Sequence, residues 1–201
     1  MTDTLNTKGI VLKYEPWRDY DRVYTIYTEQ QGKQLVRAVG VRKSKAKLAG
    51  VLEPFAELDL WLIPARHFTK IGGAVLVHRF RHLVKTLEHI QTAWYCCHLI
   101  DRLTKDNDRD QALYQLLYTT LHWFDQQSPQ QLVTLSFACK TIRLLGYDLT
   151  QVAQQPDLAK IIRWLQQQPY HEVQKLRLTA PQWAQLLSVV QLWLHDQVGS
   201  V

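Results

Sequence analysis

The sequence predicts an α+β protein in which a small five-stranded barrel is followed by an all-helical domain. Apolar and β-branched residues alternate in short runs up to about residue 80, which indicates strands. From His82 onward the apolar residues recur every three or four positions, which indicates helices. Residues 1–80 carry 13 Lys and Arg against 8 Asp and Glu, whereas residues 81–201 carry 11 against 10. We therefore expect two domains, 1–80 and 81–201, and a polyanionic partner for the first.

Five short runs predict the strands of the first domain. Proline stands before and after the fourth run, where a strand tolerates it, and Gly72-Gly73 marks a bulge in the fifth. Five strands are too few for a two-sheet sandwich, but a closed barrel removes the exposed edges. A five-stranded barrel with a basic loop is typical of the OB-fold, which binds single strands through one face and its loops. The predicted strands are residues 8–14, 22–28, 33–41, 55–62 and about 68–77.

Apolar stripes at helical spacing run through the second domain. Capping signals fit helix starts at Ser128-Pro129 with Gln131 and at Thr179 with Gln182, and Gly146 fits a helix end. Two further helices are expected over about 157–167 and 181–197. We expect the tryptophans on these helices to pack in the core. The stripes are Leu83, Leu87, Ile90, Trp94 and Cys97; Leu113, Leu116, Leu117, Leu121 and Phe124; and Leu132, Leu135, Cys139 and Ile142.

The most basic stretch of the chain is residues 30–52, which contain six cations and no carboxylate. A helix here would place like charges three and four residues apart, which is unfavourable, and Gly40 and Gly50 punctuate the stretch. We therefore expect a flexible basic loop that follows the third strand. The alternative is a solvated run of charge without a partner. The six cations are Lys33, Arg37, Arg42, Lys43, Lys45 and Lys47.

Two aromatic residues, Trp17 and Tyr20, lie in the first inter-strand loop beside Arg18 and Arg22. Aromatic rings next to cations suit base stacking combined with neutralisation of phosphates. The alternative is that these rings pack back onto the barrel.

Several classes of protein are disfavoured. The sequence has no Gly-x-Ser-x-Gly, P-loop, Gly-x-Gly-x-x-Gly or His-Glu-x-x-His motif, so we expect no enzyme and no cofactor. Cys96, Cys97 and Cys139 are interpreted as buried thiols, and His78 and His82 lack a third ligand, so no metal is expected. The N-terminus has no signal-peptide pattern and no run is long enough to span a membrane, so a cytoplasmic protein is expected.

Taken in order, a set of short segments resembles the RecO family of bacterial recombination mediators. The resemblance covers about residues 1–150, and its strongest part is Leu-x-Gly-x-Leu-x-Pro-Phe after the basic loop. The segments are Thr7-Lys-Gly-Ile-Val-Leu12, Asp21-Arg22, Thr28-Glu-Gln-Gln-Gly-Lys33, Gly40-Val-Arg42, Leu48-Ala-Gly-Val-Leu-Glu-Pro-Phe55 and Ile142-Arg-Leu-Leu-Gly-Tyr147.

The resemblance implies an N-terminal OB barrel, a C-terminal helical domain and a non-catalytic role in recombinational repair. It implies binding of single- and double-stranded DNA, annealing of complementary strands, and loading of RecA with RecR on strands coated by single-strand-binding protein (SSB). It also implies binding of the acidic C-terminal tail of SSB. Many members carry a four-cysteine zinc insertion after the Leu-Gly-Tyr helix, but residues 148–170 hold no cysteine, so no zinc is expected.

The candidate DNA-binding residues follow from the loop and its neighbours. We expect the cations of Arg42–Lys47 to contact phosphates, with two more on the adjoining strand and an aromatic platform, and therefore little sequence preference. One alternative is an interaction adaptor whose helical half binds an acidic, apolar-ended peptide, and another is an RNA-binding OB protein. The DNA candidates are Arg42, Lys43, Lys45, Lys47, Lys33, Arg37, Trp17 and Arg18, and the peptide candidates are Arg102, Lys140 and Arg143.

Overall fold

A computed structural model describes residues 4–65, 69–153 and 155–198. In this part of the chain, five strands precede the α-helices. The strands are β1 (Leu5–Trp17), β2 (Asp21–Thr28), β3 (Gly32–Ala38), β4 (Glu57–Ile63) and β5 (Thr69–His78). The helices are α1 (Leu87–Leu103), α2 (Gln111–Gln126), α3 (Gln131–Leu144), α4 (Pro156–Gln167), α5 (Tyr170–Val173) and α6 (Ala180–Val198), with a 3-10 turn at Leu149–Gln151.

The strands close into a barrel in the order β1-β2-β3-β5-β4, with β4 returning to β1. All pairs are antiparallel except β3 with β5, which meet in parallel over Val36–Thr69 and Arg37–Lys70. The predicted fold class, an OB barrel followed by helices, is confirmed. Alternate residues point inward, and the barrel core contains Val11, Tyr24, Ile26, Val36, Ala38, Val41, Leu52, Ala56, Leu58, Leu60, Leu62 and Ile71.

All five predicted strands are present, with ends shifted by a few residues. β1 is longer than predicted because it pairs with β4 from Leu5 onward and, after a bulge between Val11 and Lys13, pairs with β2 as far as Trp17. β3 ends at Ala38, three residues early, because Gly40 has a φ of +64° and turns the chain. Phe68, the predicted start of the fifth strand, lies outside the described residues.

The first two helices pack on the outside of the barrel. The Tyr114 hydroxyl of α2 donates to Glu57 Oε1 at 2.8 Å, and the Tyr27 hydroxyl of β2 donates to the carbonyl of Asp110 at 3.5 Å. The chain accordingly divides into two compact units, Met1–Asp125 and Gln126–Val201. The first contains the barrel with α1 and α2, and the second contains α3 to α6. The domain boundary placed after residue 80 stays a prediction.

The helical signals had mixed outcomes. Thr179 and Gln182 form the predicted capping box, since the Thr179 amide donates to Gln182 Oε1 at 2.9 Å. Gly146 ends α3 with a φ of +88°, as predicted. The cap predicted at Ser128 is wrong, because α3 begins later and its N-cap, Gln130, makes no side-chain capping bond.

The buried face of α1 was predicted only in part. Trp94 was expected in the core, but 53% of its surface is exposed, and Leu87 and Ile90 of the same stripe are exposed as well. Leu83 and Cys97 of the stripe are buried as predicted, and the buried face of α1 also carries Ala93, Cys96, Leu99 and Ile100. All three cysteines are free and buried, as predicted. Across the described residues, no helix has both the length and the apolar character needed to cross a membrane.

Candidate nucleic-acid interface

The basic loop, residues 39–56 between β3 and β4, is a series of short turns. The amide of Lys43 donates to the carbonyl of Gly40 at 3.1 Å, and the amide of Ala46 donates to that of Lys43 at 3.0 Å. The amide of Ala49 repeats the pattern onto Ala46 at 3.2 Å. Each turn satisfies a backbone donor locally without stacking the lysines on one helical face. The predicted loop is therefore present and is not helical.

Apolar residues anchor the basic loop to the barrel. Val41 and Leu52 are 2% and 1% exposed and belong to the barrel core. Leu48 and Val51 pack against the same core from the middle and end of the loop. Rather than a free arm, the loop is a set of turns held at both ends and in the middle by hydrophobic burial.

The four clustered cations of the basic loop, Arg42, Lys43, Lys45 and Lys47, are exposed. None has a carboxylate within ion-pair distance in the described part of the chain. Their charges are therefore not neutralised internally, and they create a positive potential outside this end of the barrel. An anionic chain passing the loop would meet four available donors.

The first inter-strand loop lies beside the basic loop. The amide of Arg42 donates to the carbonyl of Tyr20 at 2.9 Å, and its guanidinium Nη1 is 3.5 Å from the carbonyl of Arg18. Tyr20 is 56% exposed and Trp17 is 37% exposed, and the ammonium of Lys43 lies 5.6 Å from the centre of the Tyr20 ring. The structure therefore brings Tyr20 together with Arg42 and Lys43, two of the predicted cations.

A buried carboxylate, Asp21, fixes the start of the basic loop. Its Oδ1 accepts a hydrogen bond from the amide of Gly40 at 2.7 Å, and its Oδ2 accepts from Arg37 Nε at 2.8 Å and from Arg37 Nη2. The Gly40 amide, followed by Arg37, lowers the pKa of Asp21 against the opposing effect of burial. Arg37, a candidate phosphate ligand, is therefore already paired at the base of the loop.

Lys33, the other candidate on β3, is held by α1 and the segment after it. Its ammonium donates to the carbonyls of Asp101 and Thr104 at 2.6 and 2.7 Å, and lies 3.6 and 3.5 Å from the carboxylates of Asp101 and Asp106. The side chain is 12% exposed. An ammonium has three protons to donate, so Lys33 has little capacity left for a phosphate.

The far end of the basic loop is fixed by a cation that sequence reasoning did not select. Arg79 Nη2 donates to the carbonyl of Gly50 at 2.6 Å and lies 3.5 Å from Glu53 Oε2. The same segment then continues with exposed Arg81 and Lys85. The signal available in the sequence was the run Arg79-Phe-Arg-His-Leu-Val-Lys85, which has three cations in seven residues.

The three candidates for peptide binding differ in their location and in their contacts. Arg102 is exposed in the last turn of α1, in the first unit, whereas Lys140 and Arg143 are on α3, in the second. The ammonium of Lys140 donates to the carbonyl of Gln168 at 2.6 Å and lies 4.4 Å from the centre of the Tyr170 ring, and burial lowers its pKa. Arg143 is exposed near the end of α3, close in sequence to half-exposed Leu144 and Tyr147.

No group of three or more His, Cys, Asp or Glu side chains within the described ranges is arranged to hold a metal ion.

Comparisons with known proteins match both the barrel and the helices that follow it. The family model for the N-terminal part of recombination protein O matches residues 1–80, and the one for its C-terminal part matches residues 84–154. The chain is 28% identical over 143 residues to the DNA repair protein RecO of Symbiobacterium thermophilum, covering 71% of this chain and 56% of that protein. It is 30% identical over 146 residues to that of Geobacter sulfurreducens, covering 73% and 60%.

A third relative, the DNA repair protein RecO of Desulforamulus reducens, is 30% identical over 150 residues, which is 75% of this chain and 56% of the relative. The matched part of the chain thus spans somewhat more than half the length of these relatives. Both family models match in order and together cover most of the chain, with the first on the barrel. The chain belongs to the RecO family of DNA repair proteins.

Proposed function

We propose that this protein binds single- and double-stranded DNA without sequence preference, through the basic loop and the adjoining first inter-strand loop. One observation carries the proposal: Arg42, Lys43, Lys45 and Lys47 are exposed together and unpaired by any described carboxylate. Cations that contact phosphates position a strand without reading its bases. The exposed ring of Tyr20 adds a surface on which a base of any kind can stack.

Strand annealing follows from the same chemistry. Two complementary strands repel each other through their phosphates, and the loop cations reduce that repulsion while leaving the base edges free to pair. No covalent step is needed, so we propose a non-catalytic role. In recombinational repair, the protein would use this surface with RecR to load RecA on strands coated by SSB.

The test replaces all four loop cations by alanine. Binding of two fluorescein-labelled oligonucleotides of unrelated sequence is measured by fluorescence anisotropy at 0.1 M salt. We expect affinity to fall roughly 100-fold for both, because about four phosphate contacts are lost. The matched control replaces four exposed cations of the second unit, Lys160, Arg163, Lys175 and Arg177, and changes the net charge equally.

Two outcomes would contradict the proposal. Unchanged affinity in the loop variant would remove the basic loop from DNA binding, and an equal loss in the control variant would reduce the effect to net charge. RNA and DNA oligonucleotides of one sequence are compared in the same assay. A strong preference for RNA would favour the alternative of an RNA-binding OB protein, because the 2′-hydroxyl is the group that distinguishes the two nucleic acids.

A second function, binding of the acidic SSB tail, is favoured by the end of α3. Arg143 supplies an exposed cation, and Leu144 and Tyr147, which are 41% and 46% exposed, supply apolar surface close to it in sequence. Lys140 is less suited because its ammonium is already bonded to Gln168. We expect Arg143→Ala to weaken binding of a labelled acidic, apolar-ended peptide about tenfold, and unchanged binding would exclude this site.

A further inference from the structure

One end of the barrel interior contains a polar group of residues that the proposed function does not use. Tyr14 pairs with Tyr24 between β1 and β2, and Arg22 pairs with Pro16 on one side and Ala38 on the other. Tyr24 and Ala38 belong to the barrel core, so the side chain of Arg22 faces the same interior. The adjoining residue is Asp21, the anchor of the basic loop. We call Tyr14, Arg22 and Tyr24 the barrel-end cluster.

The members of the barrel-end cluster pack against one another. The guanidinium carbon of Arg22 lies 4.2 Å from the centre of the Tyr14 ring, a cation–π arrangement. The rings of Tyr14 and Tyr24 are 5.5 Å apart and inclined at 47°. Tyr24 is fully buried, whereas Tyr14 is 36% exposed. The cluster therefore reaches from the barrel core to the surface.

Two polar atoms of this cluster are buried without a hydrogen-bond partner among the described residues: Arg22 Nε and the Tyr24 hydroxyl. Burial is the largest cause of the raised pKa of Tyr24, and the contact with Arg22 and its charge partly oppose it, although the two groups do not have the geometry of a hydrogen bond. A buried donor without an acceptor destabilises a fold. Arg22 also forms no ion pair within the described ranges.

We propose that Arg22 and Tyr24 bind an oxyanion at the end of the barrel, and that this anion is a backbone phosphate of the DNA strand held by the basic loop. The inference rests on the proposed function and adds a specific site to it. A guanidinium and a hydroxyl are donors that a phosphate oxygen can satisfy together. The site is next to the basic loop because Ala38, which pairs with Arg22, and Val41, in the loop, belong to the same barrel core.

Tyr24→Phe is the sharpest variant because it removes one hydroxyl and keeps the ring. We expect DNA affinity to fall about tenfold, as for a hydrogen bond to a charged group, with no change in the salt dependence. The melting temperature should stay the same or rise, because an unpaired buried hydroxyl is removed. The matched control is Tyr27→Phe, whose hydroxyl has a partner at Asp110, and it should leave affinity unchanged.

Arg22→Gln tests the charge. In a titration at several salt concentrations, the slope of log K against log salt should become shallower by about 0.7, the loss of one phosphate contact on a single strand. If this variant is unstable because the contact with Tyr14 is lost, Tyr24→Phe decides alone. Oligonucleotides with and without a 5′-phosphate, and inorganic phosphate as a competitor, distinguish the source of the anion.

Equal binding of both oligonucleotides and weak competition by inorganic phosphate would support a phosphodiester. Binding that requires the 5′-phosphate, or inorganic phosphate that protects the protein without affecting DNA binding, would overturn the proposal of an internal strand phosphate. Wild-type affinity in Tyr24→Phe would also overturn it and leave the hydroxyl as a packing defect. The loop variant separates the two proposals, since DNA binding can depend on the basic loop while the barrel-end cluster has no effect.

Discussion

At the scale of single residues, the structure separates cations that hold the fold from cations available to a ligand. Lys33 and Arg37 carry the same charges as their neighbours in the basic loop, but each has a carboxylate partner. The partner of Lys33, Asp101, is on α1 and distant in sequence, so no local pattern could reveal it. The partner of Arg37, Asp21, is brought near by the β2–β3 pairing.

Asp21 gives a pH dependence that can be measured. Its pKa is lower in the folded protein than in the unfolded chain, so its ion pair stabilises the fold above about pH 4 and is lost as pH falls through the folded pKa. We expect Asp21→Asn to cost about 1–3 kcal/mol at pH 7, since the charged hydrogen bonds with Arg37 are lost. Between pH 5 and about pH 3, the wild type should lose more stability than the variant in urea unfolding.

Parallel pH profiles for the two proteins would contradict this role of Asp21. The comparison isolates Asp21 because Asp148 and Glu172, whose pKa values are also lowered, are unchanged in the variant.

At the scale of elements, the strands and helices could be predicted because their periodicity is local. The strict alternation of residues 55–62 identified β4 almost completely, and the capping pair Thr179 and Gln182 identified the start of α6. The covered face of a helix depends on its neighbours, which periodicity does not contain. Trp94 was therefore assigned to the core, although α1 exposes it and buries Ala93, Cys96 and Ile100 instead.

The basic loop shows the same limit of prediction from sequence. Its charge and its glycines predicted an exposed loop, and the structure agrees. The sequence did not reveal that Val41, Leu48 and Leu52 anchor the loop, because these apolar residues lie among its charged ones. The barrel-end cluster was missed because its significance lies in two unpaired atoms, which only coordinates reveal.

At the scale of the whole molecule, α1 and α2 belong with the barrel. Glu57 is buried against Tyr114, and Lys33 depends on Asp101, so a barrel cut after residue 80 would lose the partners of both. We expect a fragment of residues 1–125 to unfold cooperatively, and a fragment of residues 1–80 to have a lower melting temperature or no transition. Circular dichroism against temperature measures this, and equal melting of the two fragments would show that the helices are dispensable.

The most direct measurement of the central claim is the salt dependence of binding to a single-stranded oligonucleotide. Anisotropy titrations of the full chain and of the variant lacking the cations of Arg42, Lys43, Lys45 and Lys47 are run from about 0.05 to 0.3 M salt, where screening changes steeply. We predict that the slope of log K against log salt is shallower in the variant by about 2.8, from roughly 0.7 for each of four phosphate contacts. Equal slopes in the two proteins would contradict the account, because the loop cations would then touch no phosphate.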